Sequence, residues 1–273
     1  MRKENILFGL NGFESLIGSK DYIIKEILIE NSSPASRYLE HNKIDNEIKK
    51  KLIFLGKKEF SNISKNKRTQ GLIAHFEGKL TKTLPSFKNI KTNLGLLVLD
   101  QIEDPQNLGQ IIRTAECAGI DGIIISKNNG CGITNAVIQV SQGAFFNIPI
   151  YEVSNIDQCL RVLKKEDFWV VALENEASNK NWYEVDYRKK IVIILGSEGK
   201  GIKKINLKNS DFIASIPMQG QINSLNVSAA TSVVLFERLK QLKSDTNSYW
   251  KRFITASVIQ NMIFVWKTIL AWL

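Results

Sequence analysis

The stretch LGLLVLDQIEDPQNLGQIIRTAECAG, residues 94–119, decides the architecture. Its first seven residues are almost all apolar and end in Asp100. A strand apolar on both faces belongs in a parallel sheet covered on both sides. Pro105 and Asn107 then mark a turn, and Asn107 or a neighbour can cap the next helix. NLGQIIRTAECAG reads as that helix, amphipathic and closed by Gly119, a good residue just past a helix end. A solvated arginine on a capped helix would be ordinary, but Arg113 sits among Ile111, Ile112 and Ala115.

Downstream the alternation continues. GIIIS (122–126), IPIYEV (148–153), WVVALE (169–174), IVIILG (191–196) and DFIASIP (211–217) read as strands. NAVIQVSQGAFF (135–146), NIDQCLRVLKKED (155–167) and a last segment from about 226 read as helices. Such alternation predicts an α/β parallel sheet with helices on both faces. Upstream, helices at 11–19, 36–51 and 57–64 alternate with strands at 24–30, 51–56 and 70–78, a small α/β module of its own. The expected organisation is therefore a module at 1–77, a lysine-rich linker at 78–93, a larger domain at 94–243 and a tail at 244–273.

The 273 residues carry a net charge of +10, with 44% hydrophobic and 23% charged residues, as in a globular protein. The charge is uneven: residues 1–93 hold 18 Lys and Arg against 10 Asp and Glu, whereas 94–273 hold 19 against 17. A basic first part joined to a near-neutral second part suggests a polyanion-binding module on a working domain. Cys117, Cys131 and Cys159 lack metal-type spacing, and His41 and His75 are isolated, so no metal site is expected. The N-terminus has no sustained apolar run of the signal-peptide kind, and a cytoplasmic protein with reduced thiols is the default.

In open α/β sheets ligands sit beyond the carboxyl ends of the strands. Three loops qualify: DQIEDPQNLG (100–109), GSEGKG (196–201) and PMQGQINSLN (217–226). GSEGKG is G-x-x-G-x-G, which matches neither the dinucleotide fingerprint nor a P-loop. Glu198 is unusual in such a turn, because a carboxylate there can orient a hydroxyl or an amine. In SLNVSAAT (224–231), Ser, Asn and Ser alternate where a helix should start; one can cap it, and three look like a place where something is held.

Taken together and in this order, LDQIEDPQNLGQIIRTAECAG, IVIILGSEGKGI and IPMQGQINSLNVSAATSVVLFE resemble the three motifs of the SpoU-type branch of the SPOUT RNA methyltransferases, over about 94–243. The resemblance implies a parallel-sheet domain with a trefoil knot, working as a homodimer, and S-adenosylmethionine-dependent methylation of a ribose 2′-hydroxyl. It implies Arg113 as the essential functional group, Asn107 and Glu198 as groups orienting it and the ribose, and Ser224 and Asn226 at the reacting region. Backbone around Gly196, Ile216, Met218 and Leu225 would hold the cofactor. LFGLNGFESLI and KRTQGLIAHFEG resemble the small substrate-binding domain of the rRNA guanosine 2′-O-methyltransferases, with Arg68 and Thr69 where many relatives carry Asn-His. A guanosine of 23S rRNA is the leading target. A tRNA ribose, a non-catalytic RNA-binding assembly factor and, more distantly, a dehydrogenase are the rivals.

The tail is unexpected for that family. Residues 253–273 approach the length of a bilayer span, but Gln260, Asn261 and Lys267 interrupt them. With Ser257 and Thr268 they form one polar stripe, which fits an amphipathic helix better than a membrane span; such a helix can pack on the larger domain or on a partner subunit, or lie on a membrane surface, the last not expected. Deleting 246–273 is expected to leave S-adenosylmethionine binding and methyl transfer unchanged, as calorimetry and a tritium-transfer assay would report. Loss of activity in a truncated protein that stays folded would place the tail in the site.

Overall fold

The computed structural model describes residues 5–65, 67–90, 92–175, 180–197 and 199–244. The proposed tail helix and Glu198 lie outside them. The chain builds two sheets. The first holds β1 (Asn5–Phe8), β2 (Ile23–Glu30), β3 (Leu52–Leu55) and β4 (Leu72–Glu77) in the order β1-β4-β2-β3. Its pairs are antiparallel except β2 with β3. Helices α1 (Phe13–Gly18), α2 (Pro34–His41), α3 (Asn46–Lys49) and α4 (Lys57–Ser64) connect the strands. The sequence pattern does not reveal β1, which is only four residues long. It also runs α2 and α3 together. Asn42 ends α2, and the Asp45 carboxylate caps α3 by accepting from Glu47 N at 2.7 Å, so polar side chains break a continuous apolar period.

The second sheet is parallel throughout. It holds β5 (Gly95–Asp100), β6 (Gly122–Ser126), β7 (Ile150–Val153), β8 (Trp169–Leu173), β9 (Lys180–Asn181), β10 (Ile191–Gly196) and β11 (Phe212–Ser215) in the order β7-β6-β5-β10-β8-β11-β9. All six residues of β5 are buried, as expected for a strand covered on both faces. Alternate residues serve two different cores. Leu97, Leu99, Ile193 and Leu195 pack in one cluster, against α5 (Pro105–Cys117), α6 (Asn135–Val140) and helix α9 over 227–244. Leu96, Val98, Val192 and Ile194 pack in the other, against α7 (Ile156–Lys165), Ile202 and Leu207 of α8 (Lys204–Lys208). This is the strand period of two, with both faces apolar. The helix expected over 135–146 stops at Val140, because Gln142 and Gly143 take positive φ, and resumes as a single 3₁₀ turn at Ala144–Phe146. The two-residue β9 and the five-residue α8 are also absent from the sequence pattern; both are too short to carry a period.

The first sheet is docked on the second domain. Strand β1 is an edge, and its outward amides would otherwise be free. Helix α6 meets them with side chains: Ile6 N donates to Asn135 Oδ1 at 3.3 Å and Phe8 N donates to Gln139 Oε1 at 3.1 Å. Asn11 Nδ2 donates to Gln142 Oε1. Positions 135 and 139 share one face of α6, residues 6 and 8 share one strand edge, and Gln142 lies just past the helix end. Beside this ladder, Gly143 and Gly12 meet backbone to backbone: a Cβ on Gly143 would lie 2.7 Å from Asn11 O. Tyr22, Phe76, Phe145 and Phe146 stack with centroids 5.3 to 6.0 Å apart across the same joint. The stretch between the sheets is anchored too. Lys82 bridges to Tyr151 beside β7, and Phe87 is buried against Tyr151 and Phe168.

Gln139→Ala leaves the Phe8 amide without its acceptor. It is expected to lower stability by about 1–2 kcal/mol in urea unfolding and to speed hydrogen exchange at Phe8 and Ile6. An unchanged exchange rate at both amides would show that water serves this edge as well as α6 does.

Candidate active site

Strands β5 and β10 are neighbours, and Gly196 pairs with Asp100 at the last step of their register. Their carboxyl ends therefore finish level, and the loops beyond them emerge side by side. Asp100 is fully buried. Its Oδ2 accepts from Lys203 N at 2.9 Å and from Asn206 Nδ2 at 2.7 Å. The carboxylate of one strand end thus holds the far side of the loop from the other, at the residue that opens α8.

The loop folds back sharply on its own strand. Gly201 N donates to Ser197 O at 2.9 Å, and a Cβ built on Gly196 would lie 2.1 Å from the Gly201 carbonyl carbon. Gly201 has φ +62°, and a Cβ there would meet Glu174 Oε2 at 2.7 Å. Glu174, just past β8, also accepts from Ile202 N at 3.3 Å. Across the mouth, Lys200 Nζ reaches Glu103 Oε1 at 2.7 Å; both are exposed, so the pair marks proximity more than it adds stability. Asn175 ties down the third loop: its Nδ2 donates to Asn223 O at 2.9 Å, and its Oδ1 accepts from Ile216 N at 3.3 Å.

These loops enclose a cavity of about 860 Å³. Gly196, Ile216, Met218, Ser224 and Leu225, all expected at the site from sequence, line it. Asn107, Arg113 and Asn226 do not line it. Asn226 stands at its edge as the cap of α9, its Oδ1 accepting from Ser228 N at 2.9 Å. Asn226 Nδ2 then donates to Asn107 Oδ1 at 2.9 Å, joining α9 to the first turns of α5. The cap of α5 itself is Asp104, which accepts from Gln106 N at 3.0 Å, so Pro105 and Asn107 lie inside the helix and not in a turn before it. Arg113 is exposed on α5, and no described residue forms a hydrogen bond or ion pair with its guanidinium. Among the described residues no cluster of His, Cys, Asp or Glu could hold a metal ion, and no helix is long and apolar enough to cross a membrane.

Sequence reasoning passes over Asp100, Glu174 and Asn175. Each is a polar residue at the end of a buried strand, and that position is the available signal. The cavity combines an apolar wall of Leu173, Leu195, Ile216 and Leu225 with polar groups on Asn175, Ser197 and Ser224 and with a glycine-rich backbone. It can take a flat apolar group with polar extensions, while the exposed Arg113 can meet an anion nearby.

Residues 95–236 match the model of the SpoU rRNA Methylase family. The chain is 31% identical, over 247 residues, to the 23S rRNA (guanosine-2′-O-)-methyltransferase RlmB of Shewanella oneidensis, covering 89% of this chain and 100% of that protein. Among solved structures it is similar to an AdoMet-bound rRNA methyltransferase from Sinorhizobium meliloti, with TM-score 0.70, 25% identity and 88% of each chain covered. It shares its fold with the SpoU methyltransferase AviRb of Streptomyces viridochromogenes, with TM-score 0.72 and 19% identity over 88% of this chain and 91% of that one.

Gly196→Ala cannot be accommodated without moving the 197–203 loop, because the obstacle is backbone. We expect a loss of about 3 kcal/mol or more in unfolding free energy, together with faster exchange at the Gly201 and Lys203 amides. A variant with native stability and native exchange would mean that the loop has a second, open arrangement.

Proposed function

Because this chain belongs to the SpoU rRNA Methylase family, we propose that it transfers the methyl group of S-adenosylmethionine to the 2′-hydroxyl of a guanosine in 23S rRNA. It is an RNA ribose 2′-O-methyltransferase. The observation that carries it is the junction of cavity and helix: the cofactor-sized pocket and the Arg113 helix are joined through Asn226 and Asn107.

The residues present suit the cofactor. The cavity volume lies within the usual range for ligand pockets, and its walls match an adenine on the apolar side and a polar amino-acid end on the other. Gly196 and Gly201 let the turn fold onto its own strand end and onto Glu174, which leaves glycine-rich backbone along this part of the cavity. When bound, S-adenosylmethionine supplies an electrophilic sulfonium methyl. The protein's task is then alignment of the ribose oxygen with that methyl, which alone is worth several kcal/mol. Ser224 and Leu225 line the cofactor side, and Asn226 holds Asn107 on the substrate helix. Arg113 reaches the RNA. A guanidinium stays protonated in proteins, so its role is to bind the neighbouring phosphate and stabilise the developing alkoxide, not to take the proton. Glu198 orients the ribose and Arg113.

We also propose an RNA-binding role for the first module, a knot and a dimer. The segment 1–77 supplies RNA affinity through its excess of positive charge, with binding that weakens steeply with salt. The trefoil knot lies between β10 and α9; the late insertion of β10 between β5 and β8, with β11 returning beyond β8, supports it. Two copies pair through α9 and the segment before it, where Ile222, Leu225 and Phe236 are exposed apolar residues. The protein acts in the cytoplasm, where its rRNA substrate would be found.

Arg113→Ala is expected to lower methyl transfer to 23S rRNA by roughly 10²–10³-fold, the usual cost of losing a charge-stabilising group, with cofactor affinity unchanged by calorimetry. Primer-extension mapping of 2′-O-methyl sites on 23S rRNA and on tRNA identifies the target. Near-normal turnover in the variant removes Arg113 from the site, and methylation confined to tRNA overturns the rRNA assignment.

A further inference from the structure

Between the cofactor segment and the substrate helix runs a chain of side chains longer than the Asn226–Asn107 bond. Ser228 Oγ lies 2.6 Å from Asn226 Oδ1 and 2.9 Å from Gln110 Oε1. Asn107, Gln110 and Arg113 succeed one another at intervals of three on α5, so the three residues occupy successive turns on neighbouring faces. Ser228 is the second residue of α9, buried, and set by its own N–H on Asn226.

The polarity of the chain comes from counting protons. Asn226 Oδ1 is the acceptor of a backbone N–H, so its carboxamide cannot be turned around; its Nδ2 points at Asn107. Ser228 has one hydroxyl proton, and only one of the two oxygens beside it can receive that proton. The shorter contact is to Asn226. Gln110 then satisfies the serine best with its amide nitrogen, a rotation of the carboxamide that exchanges two atoms of nearly equal size. The result is a directed run: Gln110 Nε2 donates to Ser228 Oγ, which donates to Asn226 Oδ1, while Asn226 Nδ2 donates to Asn107 Oδ1. Helix α5 is held at two successive turns by one helix cap.

We propose that Gln110 and Ser228 are positioning residues of the methyltransferase site, which lock α5, and with it Arg113, to the segment that carries the cofactor. This rests on the function proposed above. Leu108, Ile111 and Ile112 seat the apolar face of α5 in the core, and the Asn107–Asn226 and Gln110–Ser228 contacts tie its opposite, polar side to the start of α9 at two successive turns. Arg113 lies one turn beyond Gln110, so this polar tie sets its position relative to α9. In-line transfer tolerates little misplacement, and a shift of about 1 Å can cost on the order of 100-fold in rate.

The test uses the full chain with Gln110→Ala, Ser228→Ala and the double variant. Each single change is expected to lower kcat on rRNA by about 10- to 100-fold, with the dissociation constant for S-adenosylmethionine within about twofold and the melting temperature within about 2 °C of the parent. The double variant is expected to be no slower than the slower single, since both remove one lock. Hydrogen exchange reads the lock without any assay of activity: amides of 108–113 should lose protection in Ser228→Ala. Unchanged kcat in either single, losses that multiply in the double, or weakened cofactor binding in step with kcat overturns the proposal. So does unchanged protection of α5. A parent protein that methylates no RNA, with α5 still released in Ser228→Ala, would fault the proposed function and leave the lock standing.

Discussion

The register pair between Gly196 of β10 and Asp100 of β5 sets the rest of the site. Because these neighbouring strands end level, the buried Asp100 carboxylate can catch the Lys203 amide and the Asn206 side chain of the loop that leaves β10. Because the last residue of β10 is glycine, that loop can fold flat onto its own strand end. Glu174 from β8 closes the third side at Ile202. A one-residue slip of β10 would turn Leu195 and Ile193 to the opposite core and move every one of these contacts. A buried carboxylate is expensive unless hydrogen-bonded, and here its two bonds are spent on the loop that forms the cavity wall.

Helix α9 carries the order set at one end of the sheet to the other. At its start, Asn226 and Ser228 meet α5 beside the cavity. Near its end, Arg238 is 2% exposed and lies over the first residue of β5, where a Cβ on Gly95 would sit 2.6 Å from the guanidinium carbon. Burial pushes the Arg238 guanidinium down in pKa and Asp121, 3.8 Å away, pushes it back. Asp121 also receives the Gly95 N–H at 2.7 Å, so the same carboxylate serves the strand and the arginine. A charge this deep is held by its partner and would be costly to leave alone. The helix that opens beside the cavity is thereby tied to the first residue of β5.

The basic first module is integrated with this frame. Its edge strand finds acceptors on α6, its aromatic residues pack with Phe145 and Phe146, and one apolar cluster runs from Leu7 and Phe76 through to Leu99 and Ile193. Helix α6 also packs against α5, so the element that receives the module is the neighbour of the helix that carries Arg113. The first module is in this way joined to the helix that carries Arg113 through packed structure, not through a free chain.

The amino-acid sequence alone determined the architecture of the larger domain, because doubly apolar strands such as 95–100 and amphipathic helices such as 105–117 carry their period in a dozen residues. Composition singled out the three strand-end loops, and the family resemblance then implied Gly196, Ile216, Met218, Ser224 and Leu225 within or beside two of them; these five line one cavity. The combination of motifs, not any single one, led to Arg113, Asn107 and Asn226. The partners were decided only by the tertiary structure. That Asp100 answers Lys203, that Asn135 and Gln139 answer the amides of β1, and that Gln110 and Ser228 meet across 118 residues is written in no local pattern. A polar side chain announces its capacity to bond but not its address. The address is set by which strands become neighbours, and that choice is made by the whole core at once.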